Sequence, residues 1–128
     1  KMEKLLDLRL SAGYDLVVDK NKNLSVSISC TYFSGCTEYD FDFTPWTGAT
    51  LTVKNDAGTI VQIFSTEDGS IEIIEPKNIG VFKLKKTDIE MNTVRAGCYR
   101  YDMYLSNHIY AKRGFLRGKI TYTQNISN

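Results

Sequence analysis

The sequence predicts an all-β fold, an antiparallel β-sandwich. Two observations carry this. From about residue 24 onward, apolar and polar side chains alternate with a period of two. The alternating runs, about eight of them, recur roughly every ten residues with turn chemistry between them, the pattern of a sandwich rather than of a parallel α/β sheet.

The first element is the least regular. Leu5, Leu6, Leu8 and Leu10 fit neither the strand nor the helix period, YDLVV at 14–18 reads as a short strand, and KNKN at 20–23 as a polar hinge or tight turn. Residues 1–23 are therefore either an N-terminal arm or an extra strand, and residues 24–128 the sandwich domain. Leu24, Val26, Ile28, Cys30 and Tyr32 then alternate with Ser25, Ser27, Ser29 and Thr31, a half-buried strand. Tyr39, Phe41 and Phe43 alternate with Asp40 and Asp42 to give a second, and Leu51 and Val53 mark a third. Asn55-Asp56-Ala57-Gly58 turns the chain into TIVQIF.

Asp68-Gly69 is the strongest local hairpin signal, leading into a strand over 70–74 that Pro76 closes because it has no N–H for a ladder. Gly80 precedes VFKLK, with Phe82 and Leu84 on one face. KTDIEMNTVRAG breaks the alternation and reads as a crossing loop with one helical turn after Thr87. AGCYRYDMYL at 96–105 follows. The last hairpin then reads as HIYAK, a turn at Arg113-Gly114, and FLRGKITYT, with Leu116, Ile120 and Tyr122 opposite Arg117, Lys119 and Thr121.

A length of 128 residues fits one domain, and 42% apolar residues suffice for a core without disulfide staples. A net charge of +1 argues against a nucleic-acid binder, although Lys112, Arg113, Arg117 and Lys119 crowd together late in the chain. No stretch reaches the roughly twenty apolar residues of a membrane helix, and KMEKLLDLRL, with acids inside its apolar run, does not read as a signal peptide. Cys30, Cys36 and Cys98 are odd in number and lack zinc-ligand spacing. They read as buried small hydrophobes in a reducing compartment such as the cytosol.

Chemistry-bearing constellations are thin. Cys98 or Cys36 with His108 is the best nucleophile–base pairing on offer, and nothing in the spacing favours it. Asp40 and Asp42 alternate with core aromatics and read as a solvated strand face rather than a glycosidase pair. Asp40, Asp56 and Asp68 lie in or beside turns without calcium-loop spacing. The expectation is a protein that is not an enzyme, with no catalytic residue, cofactor or metal. Trp46, Tyr104 and Tyr110 are candidates for an exposed aromatic platform that could take a carbohydrate, while Trp46, directly after Pro45, more often reads as a loop anchor packed over a core edge.

Two stretches, FDFTPWTGATLTVKNDAGTIVQIF at 41–64 and AGCYRYDMYL with FLRGKITYTQNIS at 115–127, together resemble the opening and ending of immunoglobulin-like domains of tailed-phage virion proteins. The likeness is to the N-terminal domain of baseplate upper proteins and related tail or capsid-decorating domains, and it spans about residues 39 to 126. DGSIEI and GVFKLKKTDI fall between in the expected order. Pro45-Trp46, Cys36 and the loop over 31–38 depart from that pattern. The resemblance implies an immunoglobulin-like antiparallel β-sandwich with an N-terminal extension, in a structural protein assembled in the host cytoplasm into the virion. A capsid auxiliary or decoration protein is the first expectation, since no fibre or receptor-binding segment accompanies the domain. A tail or baseplate attachment protein is the alternative, and a carbohydrate- or surface-binding module a third. Its partners would be the major capsid protein or tail and baseplate proteins, with self-association open and neither nucleic acid nor membrane involved.

Antibody-type domains carry Gly-x-Tyr-x-Cys on the strand before the closing hairpin, and here Gly97, Tyr99 and Tyr101 put a tyrosine in the cysteine's place. Alternation turns Tyr99, Tyr101, Met103 and Leu105 inward, their hydroxyls reaching loop backbone. Cys98, Arg100, Asp102 and Tyr104 turn outward, so Cys98 diverges from inward Cys30 and no bridge is expected. Candidate partner-contact residues are Leu5, Leu6, Leu8 and Leu10 on the arm, with Trp46, Arg100, Asp102 and Tyr104.

Overall fold

The alternating runs become strands, and the strands sort into two sheets. The computed structural model describes residues 2–3 and 12–124. In chain order the strands are β1 (Met2–Glu3), β2 (Ala12–Gly13), β3 (Leu16–Asp19), β4 (Leu24–Ser34), β5 (Thr37–Asp40), β6 (Gly48–Lys54), β7 (Ile60–Ser65), β8 (Ile71–Ile73), β9 (Val81–Lys86), β10 (Gly97–Ser106) and β11 (Arg113–Thr123). A single helical turn, α1 (Asp88–Met91), stands between β9 and β10. One sheet runs β1–β4–β9–β8, with β5 also on β4. The other runs β2–β11–β10–β6–β7, with β3 also on β11. The body of each sheet is antiparallel, and β1, β2 and β3 join the edges in parallel. The all-β sandwich is thus the observed architecture. Leu5, Leu6, Leu8 and Leu10 lie outside the described residues.

The inward side chains of both sheets meet in one core. Phe41, Phe43, Phe82 and Phe115 pack ring on ring, with centroids 4.8 to 6.5 Å apart, mostly edge-on or tilted as ring quadrupoles prefer. Leu51, Val53, Phe64, Leu84, Met103 and Ile120 complete it and are essentially inaccessible. Alternation alone would send Phe115 outward, opposite Leu116. A β-bulge solves this: Met103 pairs with Leu116 but Tyr104 with Gly114, so Phe115 is the extra residue and both side chains are buried.

Three local expectations are corrected. Phe41 and Phe43 are buried, but the strand ends at Asp40. Beyond it the backbone hydrogen-bonds singly, Phe41 N–H to Cys30 O and Phe43 N–H to Lys77 O. Asp68-Gly69 does not close a hairpin, because β7 and β8 belong to different sheets. There Ser70 staples the crossing: its Oγ accepts the Ser65 N–H at 2.8 Å, and its carbonyl accepts the Lys85 N–H at 2.8 Å. HIYAK is loop and not strand, since β10 pairs directly with β11 and Arg113-Gly114 lie inside the ladder.

The turn at 55–58 and the helical turn form as expected. Asn55 Oδ1 accepts the N–H groups of Ala57 and Thr59, and Gly58 takes the positive φ of 83°. Thr87 and Glu90 form a reciprocal capping box, and Met91 anchors α1 in the core.

Tyr101 takes part in a further structural joint. Its hydroxyl donates to the Tyr14 carbonyl, reaching the segment that links β2 to β3. That segment crosses directly over Gly118, where a Cβ would stand 2.2 Å from the Tyr14 carbonyl oxygen, so only glycine fits. Tyr99 donates to the Arg95 carbonyl at 2.6 Å, four residues upstream. Both tyrosine hydroxyls thus reach backbone outside their strand. Cys30 is buried and burial pushes its thiol up to about 12, whereas Cys36 and Cys98 are exposed and all three are unbridged. The reading of the thiols as buried hydrophobes therefore holds for Cys30 alone. Cys36 sits at the β4–β5 turn, and Cys98 follows the outward parity of β10.

Candidate functional site

The outward residues of β10 lie at the centre of an open sheet face, because β11 and β6 flank that strand. Register then sets the neighbours. Arg100 stands directly between Lys119 on β11 and Lys54 on β6, so three cations line up across three strands. At a strand spacing of about 4.8 Å they span about 10 Å. One row further, Asp102 stands between Arg117 and Thr52. No carboxylate of the described residues forms an ion pair with Lys54, Arg100 or Lys119. Like charges directly opposite on a sheet repel, so this row disfavours the isolated fold.

Two shallow depressions flank Asp102. One, of about 430 Å³, is lined by Asp15, Arg100, Asp102, Arg117 and Lys119. The other, of about 310 Å³, holds Lys54, Ile60, Tyr104 and Lys112. Tyr104 is half-buried there, with the Lys112 ammonium 4.4 Å from its ring centre and its hydroxyl 3.5 Å from Thr52 Oγ1. The structure thus brings Arg100, Asp102 and Tyr104 onto one surface, as their alternation predicts.

Trp46 lies elsewhere. It is only 5% exposed and belongs to the core, which fits the loop anchor and corrects its placement on an exposed platform. Its ring lines a cleft of about 520 Å³. Tyr32 and Phe41 face it from the β4–β5 side, and Ile109 and Tyr110 from the β10–β11 loop. Tyr110 packs on Trp46 at 6.0 Å between centroids, while the Arg113 guanidinium lies 4.5 Å from the Tyr110 ring centre. Asn107 braces the cleft, donating to the Pro45 carbonyl and accepting from Ile109 and Tyr110 N–H. Asp42 lies at its rim, its carboxyl held below the usual range by hydrogen bonds from Thr44.

Beyond this cleft β4 and β5 continue as an antiparallel ribbon, with β1 beside β4 at Cys30 and Thr31. Tyr32 and Tyr39 stack on one of its faces at 5.6 Å. Glu38 and Asp40, with Asp42 just past the strand, are exposed at alternate positions, and Phe33 stands across from Glu38. Cys98 and His108 lie at opposite ends of β10, roughly 30 Å apart along the strand, so the structure does not assemble that pair. Neither a protein-family model nor any curated protein matches the chain.

Sequence reasoning missed Lys54 and Lys119 as partners of Arg100, and Tyr32, Phe41 and Ile109 as cleft walls. The first depends on register between strands far apart in the chain, which periodicity does not encode. Two apolar residues, Ile109 and Tyr110, in an otherwise polar loop were the available signal for the second.

Proposed function

We propose that the chain is a non-enzymatic structural protein of a tailed-phage particle, an auxiliary or decoration protein bound to the capsid lattice, with a sandwich of immunoglobulin type. Support for the type comes from strand order: β4, β9 and β8 take the B, E and D places, and β6, β10 and β11 the C, F and G places. The Tyr99 hydrogen bond to Arg95 is the corner such domains use at the start of strand F. The phage assignment rests on the sequence resemblance over residues 39 to 126. The observation that carries an assembly role is the open sheet face, charged in register, a form suited to docking a neighbouring protein rather than enclosing a substrate. Attachment within the tail or baseplate is the alternative under the same reading.

The test is fractionation of intact particles. The chain is expected to band with mature capsids, and recovery only with free tails moves it to the alternative site. A chain found wholly in the soluble lysate overturns both. Deleting residues 1–11 leaves Tyr14–Asp19 and its pairing to β11 in place. Because the deletion also removes β1 from the edge of β4, loss of particle binding with unchanged circular dichroism assigns residues 1–11 to attachment; unchanged binding removes that role.

The aromatic cleft favours a second reading, a carbohydrate- or surface-binding module, since flat rings suit the apolar faces of sugars. Because Trp46 is buried, Tyr110→Ala is the cleaner probe. Glycan-array signal lost on that substitution favours the module; an array without signal overturns it.

A further inference from the structure

We propose that the cation row Lys54–Arg100–Lys119 is a self-association face whose occupant is the acidic β4–β5 ribbon of a second copy of this chain. The inference rests on the reading of the chain as an assembly domain. Three like charges set opposite one another across adjacent strands weaken the free fold, and an anionic partner converts that repulsion into attraction.

The ribbon supplies such a partner within the same sequence. Glu38, Asp40 and Asp42 repeat every second residue, about 7 Å apart, against cations about 5 Å apart whose long side chains take up the difference. The apolar residues fix the direction. Phe33 stands beside Glu38 at one end of the acid row, and half-exposed Ile60 stands beside Lys54 at one end of the cation row. A ribbon lying across the strands therefore sets Glu38 on Lys54, Asp40 on Arg100 and Asp42 on Lys119, with Phe33 against Ile60. Asp102 lies one row away, opposite Arg117, and Asp15 borders the Lys119 end, where its Oδ1 accepts the Lys119 N–H at 2.9 Å without forming an ion pair with the ammonium. Donor and acceptor surfaces differ, so the contact is head-to-tail and each copy keeps one face and one ribbon to offer. A net charge of +1 does not oppose such growth.

The test is sedimentation velocity of the full chain at about 20 mM and about 500 mM salt, where screening lengths differ severalfold. The wild type is expected to form concentration-dependent oligomers at low salt that weaken at least tenfold at high salt. Arg100→Glu and Asp40→Lys, both at exposed positions, are each expected to be monomeric, with unchanged circular dichroism confirming that they fold. An equimolar mixture of the two sets opposite charges against each other at every face-to-ribbon contact between the two variants and is expected to recover oligomers. A wild type that stays monomeric at low salt, association indifferent to Arg100→Glu, or a mixture that stays monomeric each overturns the proposal. Salt-sensitive binding of duplex DNA by a monomeric wild type overturns it in favour of a nucleic-acid face. Absence from particles with oligomers in solution defeats the virion reading alone, and the reverse result defeats only this one.

Discussion

Tyr101 and Gly118 act as one unit, since the tyrosine hydroxyl reaches the Tyr14 carbonyl only because the facing residue has no side chain. Tyr101→Phe leaves that buried carbonyl without its donor and is expected to lower unfolding free energy by about 1–3 kcal/mol in denaturant titration. Gly118→Ala, which forces backbone apart, should cost at least as much. On the open face the sign reverses: Arg100→Thr relieves two opposed like-charge pairs and should stabilise the monomer by about 0.5 kcal/mol. Thiol labelling gives a third residue-scale check. Cys36 and Cys98 should react rapidly with an aromatic disulfide reagent and Cys30 only on unfolding, two fast thiols and one slow.

Among the elements, α1 is held by its cap more than by its length. Thr87→Ala removes the Oγ1 acceptor of the Glu90 N–H and should cost about 1 kcal/mol in thermal or chemical unfolding. The helical turn after Thr87 was legible, as β4 was in its serine alternation. The destination of a strand was not. Asp68-Gly69 and Arg113-Gly114 both carry hairpin chemistry, yet one marks a change of sheet and the other lies within a ladder. Turn residues specify local φ and ψ, whereas strand partners are chosen by tertiary packing. The bulge at Phe115 belongs to the same class, because the core needed one more ring than strict alternation could supply. The outward trio Arg100, Asp102 and Tyr104 needed only parity and was therefore readable. The cation row needed register and was not.

At the scale of the molecule, three buried acids share one pH behaviour. Burial raises Cys30 above its ordinary 9.0, and raises Tyr101 and Tyr122 above 10.0, with Asp15 adding to the shift at Tyr101. A raised folded value means that only the unfolded chain ionises easily. Stability is thus full below pH 9 and is lost progressively as pH rises through the folded values. Denaturant midpoints should fall above pH 9 and continue to fall beyond pH 10, while remaining flat between pH 7 and 8.5. A midpoint constant to pH 11 would contradict the burial of these groups.

The parallel pairing of β3 to β11, Leu16 on Ile120 through Asp19 on Thr123, has a mechanical consequence. Tension applied through the two ends of the domain pulls these strands in opposite directions along their shared axis. The ladder bonds are then loaded together in shear rather than opened one after another like a zip. The chain thus has a built-in clamp suited to a domain anchored at one end and dragged at the other.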